Sequence, residues 1–425
     1  MFNRLIKNAI LKNVVTLISG TIIAYILQIL FQLILRRIYS VEDMGLFDLY
    51  VSFVSIWIII STLRYEFAIV QPDKDSDASN IVIGIGFIAF IISVISLILI
   101  VLFPAFFSNI LDFPKEKYHW LYFLPLSTFI FAFYQGVNYW LIRNKNFRAS
   151  SINKISRRAT EGIFQSIFGY AGKSIGLVIG DIAGNTANVL SGIFQMKKSG
   201  FKFNDINITS IKKMMVNYAN FPKLQAFPAL INTFSLFLPL LIINRYYDAE
   251  TLGYFGLSRN MLLLPVALVS MSVSQVLLRD FAEKRKQRKK ITPTFLNTSL
   301  ILLIIFIPVV LIVVFAGPWL FGFVFSQKYE ISGIYSQILV FAVLFQFVVS
   351  PVSIFFTAFE KLKISALWQL GYFILTCSLF AFKDLDVEKF IMIFTAINIV
   401  SYFIYWLLIL YMTRKNDMNL TEAQA

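Results

Sequence analysis

The sequence of 425 residues contains one cysteine and one histidine, and this scarcity limits the chemistry that it can support. Cys377 lies inside an apolar run, and a single cysteine forms neither an intramolecular disulfide nor a cysteine metal cluster. His119 lies where a helix is predicted to begin. Zinc catalysis and Ser-His or Cys-His hydrolysis therefore have little basis, and we expect no cofactor and no metal.

Charged residues are also scarce, since they make up 14% of the chain, whereas 58% is hydrophobic and 16% is aromatic. So few polar residues cannot cover the surface of a soluble protein, and the chain is predicted to be an integral membrane protein. Twelve apolar runs are long enough to cross about 30 Å of hydrocarbon as helices. We predict an all-α fold whose transmembrane helices cover residues 14–35, 46–70, 80–107, 117–142, 151–171, 174–195, 222–245, 253–279, 293–316, 335–359, 363–382 and 388–412.

Acidic residues are the scarcer charged class, with 23 Asp and Glu against 38 Lys and Arg. The basic residues concentrate in alternate connecting segments, chiefly 143–158, 197–223 and 279–290. Because basic segments stay in the cytoplasm, we predict a multi-pass protein of the bacterial cytoplasmic (inner) membrane with both termini in the cytoplasm. The net charge of +15 is then a topology signal near anionic membrane lipids and gives no evidence for nucleic acid.

An internal repeat is visible between two distant stretches. Leu30–Leu49, shifted by 208 positions, matches Leu238–Leu257 at nine of twenty residues. The matches that hydrophobicity does not dictate are Arg37/Arg245, Tyr39/Tyr247, Glu42/Glu250, Gly45/Gly253 and Phe47/Phe255. Six predicted crossings separate the copies, and an even number gives both copies the same orientation. This predicts two parallel six-helix repeats, an arrangement typical of some transporters.

The repeat predicts two lobes joined by a linker. Residues 1–197 would form the N-terminal lobe with helices 1 to 6, and residues 222–425 the C-terminal lobe with helices 7 to 12. Residues 198–221 would form a cytoplasmic linker. Within this region, residues 208–218 form either an amphipathic helix on the inner leaflet or a solvated connection.

The helix that begins the second lobe is predicted to be bent, because proline removes a backbone donor and clashes with the preceding turn. Its prolines are Pro222, Pro228 and Pro239. We predict that this helix acts as a hinge.

Charges inside predicted transmembrane helices indicate where function lies, since each costs roughly 2.5–3.5 kcal/mol at the membrane centre. Arg64 on helix two and Arg259 on helix eight, which is followed by Asn260, occupy equivalent helices of the two repeats. They are predicted to face each other across a cleft as an anion site, because arginine can grip phosphate with two hydrogen bonds. The alternative for each arginine is snorkelling to the lipid headgroups.

Three carboxylates in predicted helices are candidates for ion coupling, namely Glu66, Glu161 and Asp181. A buried carboxylate can load and release a proton or a metal cation, so the coupling ion would be H⁺ or Na⁺. Hydrogen-bonded packing is the alternative for each of them. Glu66 is two positions from Arg64 and does not share its helix face, so it need not neutralise this arginine.

Amide side chains add polar groups to two predicted helices. Gln28 and Gln32 are four positions apart on helix one, and Gln135 and Asn138 lie on helix four. Such groups either join neighbouring helices by hydrogen bonds or bind sugar hydroxyls. Gln28, Gln32, Asn138 and Asn260 are therefore included among the predicted substrate-binding residues.

Leu63 to Asn80 reads LRYEFAIVQPDKDSDASN. This stretch resembles the Arg-Tyr-Glu-x-Ala-Ile element and the acidic loop that commonly end the second helix of the bacterial polysaccharide flippases of the Wzx type. Tyr139 to Phe147 (YWLIRNKNF), Tyr218 to Pro222, and Leu252 to Pro265 (LGYFGLSRNMLLLP) extend the likeness over essentially the whole chain.

The resemblance implies membership of a superfamily that also contains lipid II flippases and multidrug and toxin exporters. Its members have two six-helix lobes around a V-shaped cavity that opens alternately to the two membrane faces. In the flippases, a cationic cavity is thought to receive the diphosphate and the sugars while the polyprenyl chain stays in the lipid. Carried over to this chain, the resemblance implies that Arg64 and Arg259 hold the phosphates.

The sequence therefore predicts a transporter and not an enzyme. It would move undecaprenyl-diphosphate-linked oligosaccharide units from the inner to the outer leaflet by ion-coupled alternating access, as an antiporter, for O-antigen (lipopolysaccharide), capsule or another polysaccharide. Its expected partners are the lipid-linked glycan, membrane lipids and other polysaccharide assembly proteins. One alternative is a multidrug or metabolite cation exporter of the same superfamily, which should have an acidic cavity. Another is a membrane polysaccharide polymerase or ligase, which typically needs a larger outer loop.

Overall fold

Long helices make up most of the protein in a computed structural model that describes the backbone of residues 9–422 and the side chains of residues 19–420. No β-strand occurs in this part of the chain. Twelve helices have sixteen or more residues: α1 (Ala9–Ile38), α2 (Val41–Thr62), α3 (Asp75–Leu102), α4 (Leu124–Arg143), α5 (Phe147–Tyr170), α6 (Gly176–Lys198), α7 (Phe227–Tyr246), α8 (Ala249–Lys286), α9 (Thr292–Val324), α10 (Glu330–Val352), α11 (Leu362–Cys377) and α12 (Val387–Glu422).

Shorter elements connect these helices. The connecting α-helices and the π-helical turn are Pro104–Leu111, Ile208–Asn217, Pro222–Ala226 and Phe355–Ala358. The 3₁₀ segments are Tyr65–Val70, Lys115–Phe123, Phe203–Asp205, Gln327–Tyr329 and Ser378–Phe382. The helix Ile208–Asn217 buries Ile211 and Met214, so the helical alternative for this region is the correct one.

The membrane-protein class is confirmed by these helices. In the described part of the chain, eleven helical segments are long and apolar enough to cross a membrane. The long helix outside this set is α5, which carries Arg148, Lys154, Arg157, Arg158 and Glu161. It packs between α1 and α6, and at 1.5 Å per residue its 24 residues are long enough to span the hydrocarbon.

The internal repeat is reflected in the helix boundaries. α1 ends at Ile38 and α2 begins at Val41, whereas α7 ends at Tyr246 and α8 begins at Ala249. Each boundary of the first pair maps onto the second with the same shift of 208 positions that aligns the two sequences. The two copies therefore share local structure as well as residues.

Equivalent N-caps begin the second helix of each copy. Ser40 accepts a hydrogen bond from the Asp43 N–H at 3.0 Å, and Asp248 accepts one from the Thr251 N–H at 2.5 Å. A side-chain oxygen at the N-cap satisfies a backbone donor that the helix itself leaves unpaired. The two cap residues are related by the 208-residue shift. The same capping interaction therefore forms in both copies, although the cap is serine in one and aspartate in the other.

The chain forms two compact units that divide between Phe237 and Leu238, inside α7. The N-terminal unit contains α1 to α6 together with residues 198–221 and the first half of α7, and the C-terminal unit contains the remainder. Pro222 begins the π-helical turn that leads into α7, and Pro239 lies inside α7. The predicted lobe boundaries and hinge remain predictions.

The predicted second helix, residues 46–70, is wrong at its end, because α2 ends at Thr62. Leu63 and Arg64 adopt left-handed backbone angles, with φ of 48° and 63°, a conformation that terminates a helix. The chain continues as the 3₁₀ segment Tyr65–Val70, which packs against α3 and α4. The break falls at the charged residues Arg64 and Glu66, and the segment beyond it packs within the N-terminal unit rather than extending α2.

Three of the motif segments meet in one buried cluster of the N-terminal unit. Tyr65, Trp140, Phe201 and Met214 belong to this cluster, with Tyr218 packed against it. The Tyr65 hydroxyl also donates to the carbonyl of Met215 at 2.8 Å. Packing among the 3₁₀ segment that follows α2, the end of α4 and the region that follows α6 therefore explains in part the segments that carry the family resemblance.

Arg143 at the end of α4 holds the acidic loop in place. Its Nη1 donates to the carbonyls of Ile69 at 3.2 Å and Pro72 at 2.6 Å. Nη2 donates to the carbonyl of Asp73 at 3.3 Å, and Nε donates to the Asp75 carboxylate at 3.0 Å. This one guanidinium therefore binds several backbone oxygens that would otherwise lack partners.

We expect Arg143→Ala to loosen residues 71–75 without unfolding the helices, because each lost charge-assisted hydrogen bond contributes about 1.5–3 kcal/mol. Amide hydrogen exchange in this loop should accelerate at least about tenfold, since 1.4 kcal/mol corresponds to a factor of ten. The exposed neighbour Lys145 provides the matched control Lys145→Ala. Equal exchange rates in both variants would contradict the assignment.

A second side-chain contact with backbone groups joins α12 to the start of α9 in the C-terminal unit. The Asp417 carboxylate accepts hydrogen bonds from the backbone N–H of Ile291 at 2.9 Å and of Thr292 at 2.9 Å. The final turns of α12 therefore cap the start of α9.

Candidate functional site

A polar cavity of about 270 Å³ lies among α1, α4, α5 and α6 of the N-terminal unit. It is lined by amides, hydroxyls, aromatic rings and three basic side chains. The lining residues are Thr21, Ala24, Tyr25, Gln28, Phe131, Tyr134, Gln135, Asn138, Lys154, Arg157, Arg158 and Asn188. Among residues 9–422, no group of three or more His, Cys, Asp or Glu is arranged to hold a metal ion.

Glycines bring the two most polar helices of this cavity together. Gly176, Gly180 and Gly184 recur at every fourth position of α6 and face α5. A Cβ at Gly184 would lie 2.8 Å from the Arg157 carbonyl oxygen and 2.8 Å from the Glu161 Cβ. Small residues at this spacing allow helix backbones to approach closely in a membrane. The charged face of α5 is thereby held against α6.

Two arginines of α5 are paired with buried carboxylates. Arg157 Nη2 lies 3.4 Å from Asp181 Oδ1, and Arg158 Nη1 donates to Glu161 Oε2 at 2.9 Å. Arg157 Nε also lies 3.9 Å from Glu161 Oε2, so this guanidinium is shared between the two acids. Asn185 donates a further hydrogen bond to Asp181 Oδ1 at 3.0 Å. The carboxylates thus have counter-charges, as buried ions require.

Lys154 adds a further positive charge to the cavity. Its Nζ donates to the hydroxyl of Thr21 on α1 at 3.0 Å, and no acidic side chain pairs with it among the described residues. The guanidinium of Arg157 also lies over the Phe131 ring, 5.0 Å from its centroid. With three cations and two neighbouring carboxylates, the cavity has a formal excess of one positive charge.

Several buried polar atoms at the cavity lack hydrogen-bond partners within the described protein. They are Gln28 Oε1, Asn188 Oδ1 and Arg157 Nε. A buried polar atom left unpaired costs about 1–3 kcal/mol, so water or a polar ligand is needed to satisfy these groups. One ligand can therefore use the acceptor oxygens of Gln28 and Asn188 together with the charged donor of Arg157.

The structure brings some predicted site residues together at this cavity. Gln28 and Asn138 line it, and Glu161 and Asp181 form the ion pairs beside it. Asn138 also accepts a hydrogen bond from the Ser150 hydroxyl at 2.7 Å. These four residues come from four different helices, α1, α4, α5 and α6.

Sequence analysis predicted this helix over residues 151–171 but counted Lys154, Arg157 and Arg158 with the basic connecting segment 143–158, so they were not included among the site residues. α5 begins at Phe147, and these three cations therefore lie inside the helix. A signal was present, because positions 154, 157, 158 and 161 are spaced by three, four and seven, which defines one face of a helix. This periodicity would have assigned the charges to a polar face of the predicted helix.

Other predicted residues lie away from this cavity. Gln32 accepts a hydrogen bond from Arg36 Nε at 3.1 Å, and Arg36 lies 3.6 Å from Asp48. Arg64 lies beyond the end of α2, where its Nη1 is 3.4 Å from Glu66 Oε1. Arg64 and Glu66 thus form an ion pair although they are two positions apart, because the helix break allows them to meet.

Arg259 and Asn260 lie on α8 in the C-terminal unit. Their helix is the repeat equivalent of α2, as the sequence alignment requires. A role for them in an anion site remains a prediction.

The fold is that of membrane transporters. An inward-facing multidrug resistance MATE family transporter of the MOP superfamily aligns with a TM-score of 0.74 and 12% identity over 94% of this chain and 96% of that chain. The lipid II flippase MurJ, in an inward closed conformation, aligns with a TM-score of 0.74 and 16% identity over 96% and 90%. An outward-facing MATE family transporter gives a TM-score of 0.67 at 14% identity, over 96% of both chains.

The chain belongs to the family described as "Polysaccharide biosynthesis protein", whose sequence model matches residues 34–333. It is also 22% identical to the teichuronic acid biosynthesis protein TuaB of Bacillus subtilis (strain 168) over 204 residues. That match covers 48% of this chain and 42% of TuaB, less than half of each. The expected family is thus confirmed at the level of polysaccharide biosynthesis, and the predicted transporter-like fold is confirmed by the solved structures.

Proposed function

We propose that this protein flips an undecaprenyl-diphosphate-linked oligosaccharide from the inner to the outer leaflet of a bacterial cytoplasmic membrane. The polar cavity of the N-terminal unit is the observation that carries the proposal. Both termini lie in the cytoplasm, as the distribution of basic residues predicts. The substrate is used in the synthesis of a polysaccharide such as O-antigen or capsule.

The diphosphate of the substrate binds at the cationic face of α5. Arg157 and Lys154 line the cavity, and both donate hydrogen bonds that suit phosphate oxygens. Arginine binds phosphate with paired donors, whereas lysine acts as a point charge. The formal excess of positive charge favours an anion over an organic cation.

The amides of the cavity bind sugar hydroxyls. Gln28, Gln135, Asn138 and Asn188 lie on three helices around the cations, and an amide both donates and accepts hydrogen bonds. Gln28 Oε1 and Asn188 Oδ1 have no partner within the described protein, so they are free to accept from hydroxyl donors. A sugar next to a diphosphate fits this combination of groups.

Ion coupling is proposed to arise because Arg157 is shared between the carboxylates of Asp181 and Glu161. This side chain neutralises Asp181 at 3.4 Å and Glu161 at 3.9 Å. A phosphate that draws Arg157 away leaves these carboxylates with less counter-charge, and H⁺ or Na⁺ then restores neutrality. Coupling between two such ligands is reciprocal, so ion release would in turn weaken substrate binding. Ion and substrate would therefore bind together, which differs from the exchange that the sequence analysis expected of an antiporter. Glu66, paired with Arg64, is a further candidate for coupling.

Arg64, Arg259, Asn260 and Gln32 are proposed to contact the substrate at other stages of the alternating-access cycle. They lie outside the cavity lining, so they do not form the first binding site. The hinge is assigned to the proline-containing segment that leads into α7, where π-helical geometry is typical of bends and functional sites.

The cation exporter is the less favoured alternative. An organic cation needs an unpaired carboxylate, but Asp181 and Glu161 both lie beside arginines. A polymerase or ligase is also disfavoured, because the fold is shared with transporters and a flippase.

Ligand-dependent stability of the purified protein tests the substrate class. A short-chain prenyl-diphosphate oligosaccharide is expected to raise the thermal midpoint, and inorganic pyrophosphate is expected to compete with it. Binding to the folded state stabilises it by mass action, by about 2.7 kcal/mol at a hundred times Kd. Tetraphenylphosphonium should give no increase. Stabilisation by tetraphenylphosphonium and none by the diphosphate would favour the exporter.

A further inference from the structure

A second cavity, of about 470 Å³, lies in the C-terminal unit among α9, α10 and α12, and it is almost entirely apolar. We refer to it as the apolar groove. Its lining residues are Leu296, Asn297, Ser299, Leu300, Leu303, Leu344, Phe345, Val348, Val349, Phe403 and Trp406.

The groove forms because α9 and α12 both pack against α10 but make much less contact with each other. Val349 of α10 is buried at its base. Leu300 and Phe403 form the rim and are 55% and 47% exposed. Trp406 of α12 connects to α9 by donating a hydrogen bond to the Ser299 hydroxyl at 3.2 Å. An elongated apolar group can therefore enter from the membrane-facing surface.

Four exposed cations precede this groove in the chain. Lys286, Arg288, Lys289 and Lys290 form no ion pair among the described residues. Their basic neighbours are paired, since Lys284 lies 2.7 Å from Asp280 and Arg285 lies 3.0 Å from Glu360. We call these four residues the basic cluster. It is a concentrated positive charge without an acidic partner among the side chains that the structure describes.

The basic cluster lies next to one end of the groove. Lys284 Nζ contacts the Thr294 hydroxyl and so holds the end of α8 against the first turn of α9. Leu296, the first groove residue, follows Lys290 by six positions, which corresponds to roughly 9 Å along a helix. In the predicted topology this end is cytoplasmic, so the cluster lies at headgroup depth and the groove lies in the inner half of the bilayer.

We propose that the basic cluster and the apolar groove together bind one anionic phospholipid of the inner leaflet. The phosphate lies against Arg288, Lys289 and Lys290, and one acyl chain occupies the groove. Basic residues immediately cytoplasmic of a membrane helix attract anionic headgroups, and apolar contact supplies the remaining affinity. This lipid site does not depend on the proposed transport function.

A phospholipid fits this site better than the lipid-linked glycan does. The cations are exposed at the predicted membrane boundary, where bulk headgroups lie. Among the groove residues, Asn297 and Ser299 are the only polar ones, and Ser299 already accepts the hydrogen bond from Trp406. Sugar hydroxyls would find few partners here.

Native mass spectrometry of the purified full-length protein tests the headgroup component. Phosphatidylglycerol should bind wild type at least about tenfold more tightly than phosphatidylcholine, since each basic residue contributes about 1 kcal/mol near anionic lipid. The variant Arg288→Gln/Lys289→Gln/Lys290→Gln should lose this preference. The matched control replaces three exposed lysines elsewhere, Lys212→Gln/Lys213→Gln/Lys223→Gln, and should retain it.

A second pair of variants tests the groove. Leu300→Trp fills the cavity and should weaken both phospholipids several-fold while leaving the headgroup preference intact. Ile304→Trp is the matched control, because Ile304 is 57% exposed on the same helix but does not line the groove. Its affinities should equal those of wild type.

Three results would overturn the proposal. They are equal affinity of wild type for the two phospholipids, equal losses in the two triple variants, and equal affinities in Leu300→Trp and Ile304→Trp. Transport of a lipid-linked glycan is measured separately, so a failure of this site leaves the proposed function standing, and the reverse also holds.

Discussion

Transport by Arg157→Gln is expected to fall about tenfold to a hundredfold, because a charge-assisted hydrogen bond contributes about 1.5–3 kcal/mol and each 1.36 kcal/mol is a factor of ten in rate. Arg157 lines the cavity and lies 3.4 Å from Asp181. Glutamine keeps hydrogen-bonding capacity but removes the charge. The measurement is the initial rate of flipping of a fluorescent prenyl-diphosphate oligosaccharide in proteoliposomes.

The control for this prediction is Arg148→Gln on the same helix. Arg148 is exposed and does not line the cavity, so its loss should leave the rate within about twofold, as is usual for surface substitutions that cost under 0.5 kcal/mol. Equal rates in both variants would show that charge on α5 matters only for topology.

A second variant separates binding from stability. Removing Arg157 leaves the Asp181 carboxylate, which is buried, without its main counter-charge, and breaking a buried pair costs about 3–5 kcal/mol. Adding Asp181→Asn to Arg157→Gln removes the orphaned charge and should restore much of the thermal stability. Transport should stay low in this double variant. Recovery of transport along with stability would mean that Arg157 has only a structural role.

Gly184→Leu is expected to destabilise the protein by about 3 kcal/mol, near the upper end of the usual cost of overpacking. Its Cβ would lie 2.8 Å from the Arg157 carbonyl oxygen, and a backbone atom cannot move aside as a flexible side chain can. α5 and α6 must therefore separate, which also pulls Arg157 away from Asp181. Thermal unfolding in detergent and the yield of folded protein measure the effect.

Gly371→Leu provides the matched control for the glycine contact. Gly371 lies within α11, and a Cβ there meets nothing within 4 Å. Leucine has a higher helix propensity than glycine, so this variant should be as stable as wild type or slightly more stable. If both leucine variants unfolded at the wild-type temperature, close packing of α5 against α6 would not be needed for stability.

Hydropathy predicted the helical membrane class well because most of these helices expose apolar side chains to lipid. It also located α5, but it did not reveal that the charges of this helix form a buried polar face, because they are compensated by groups distant in sequence. Lys154 meets Thr21, and Arg157 meets Asp181. A hydropathy average over a local window does not include partners that are more than twenty residues away. The periodic spacing of the charges was the one local signal of a buried polar face.

Helix two shows a different limit of sequence reasoning. The predicted helix continues through residues 63–70, but α2 stops at Thr62 and the chain turns at Leu63 and Arg64. Arg64 and Glu66 interrupt the apolar pattern at this point, and Tyr65 between them is buried in the N-terminal unit. The internal repeat was more informative, since the shift of 208 residues aligns the ends of α1 and α7 and the beginnings of α2 and α8.

The most direct test of the central claim is transport by the wild-type protein in proteoliposomes under an imposed proton or sodium gradient. We predict that a short-chain fluorescent prenyl-diphosphate oligosaccharide crosses the bilayer, faster with the gradient than without it, and that organic cations are not expelled. Expulsion of organic cations with no movement of the lipid-linked sugar would contradict the account and would identify the protein as an exporter.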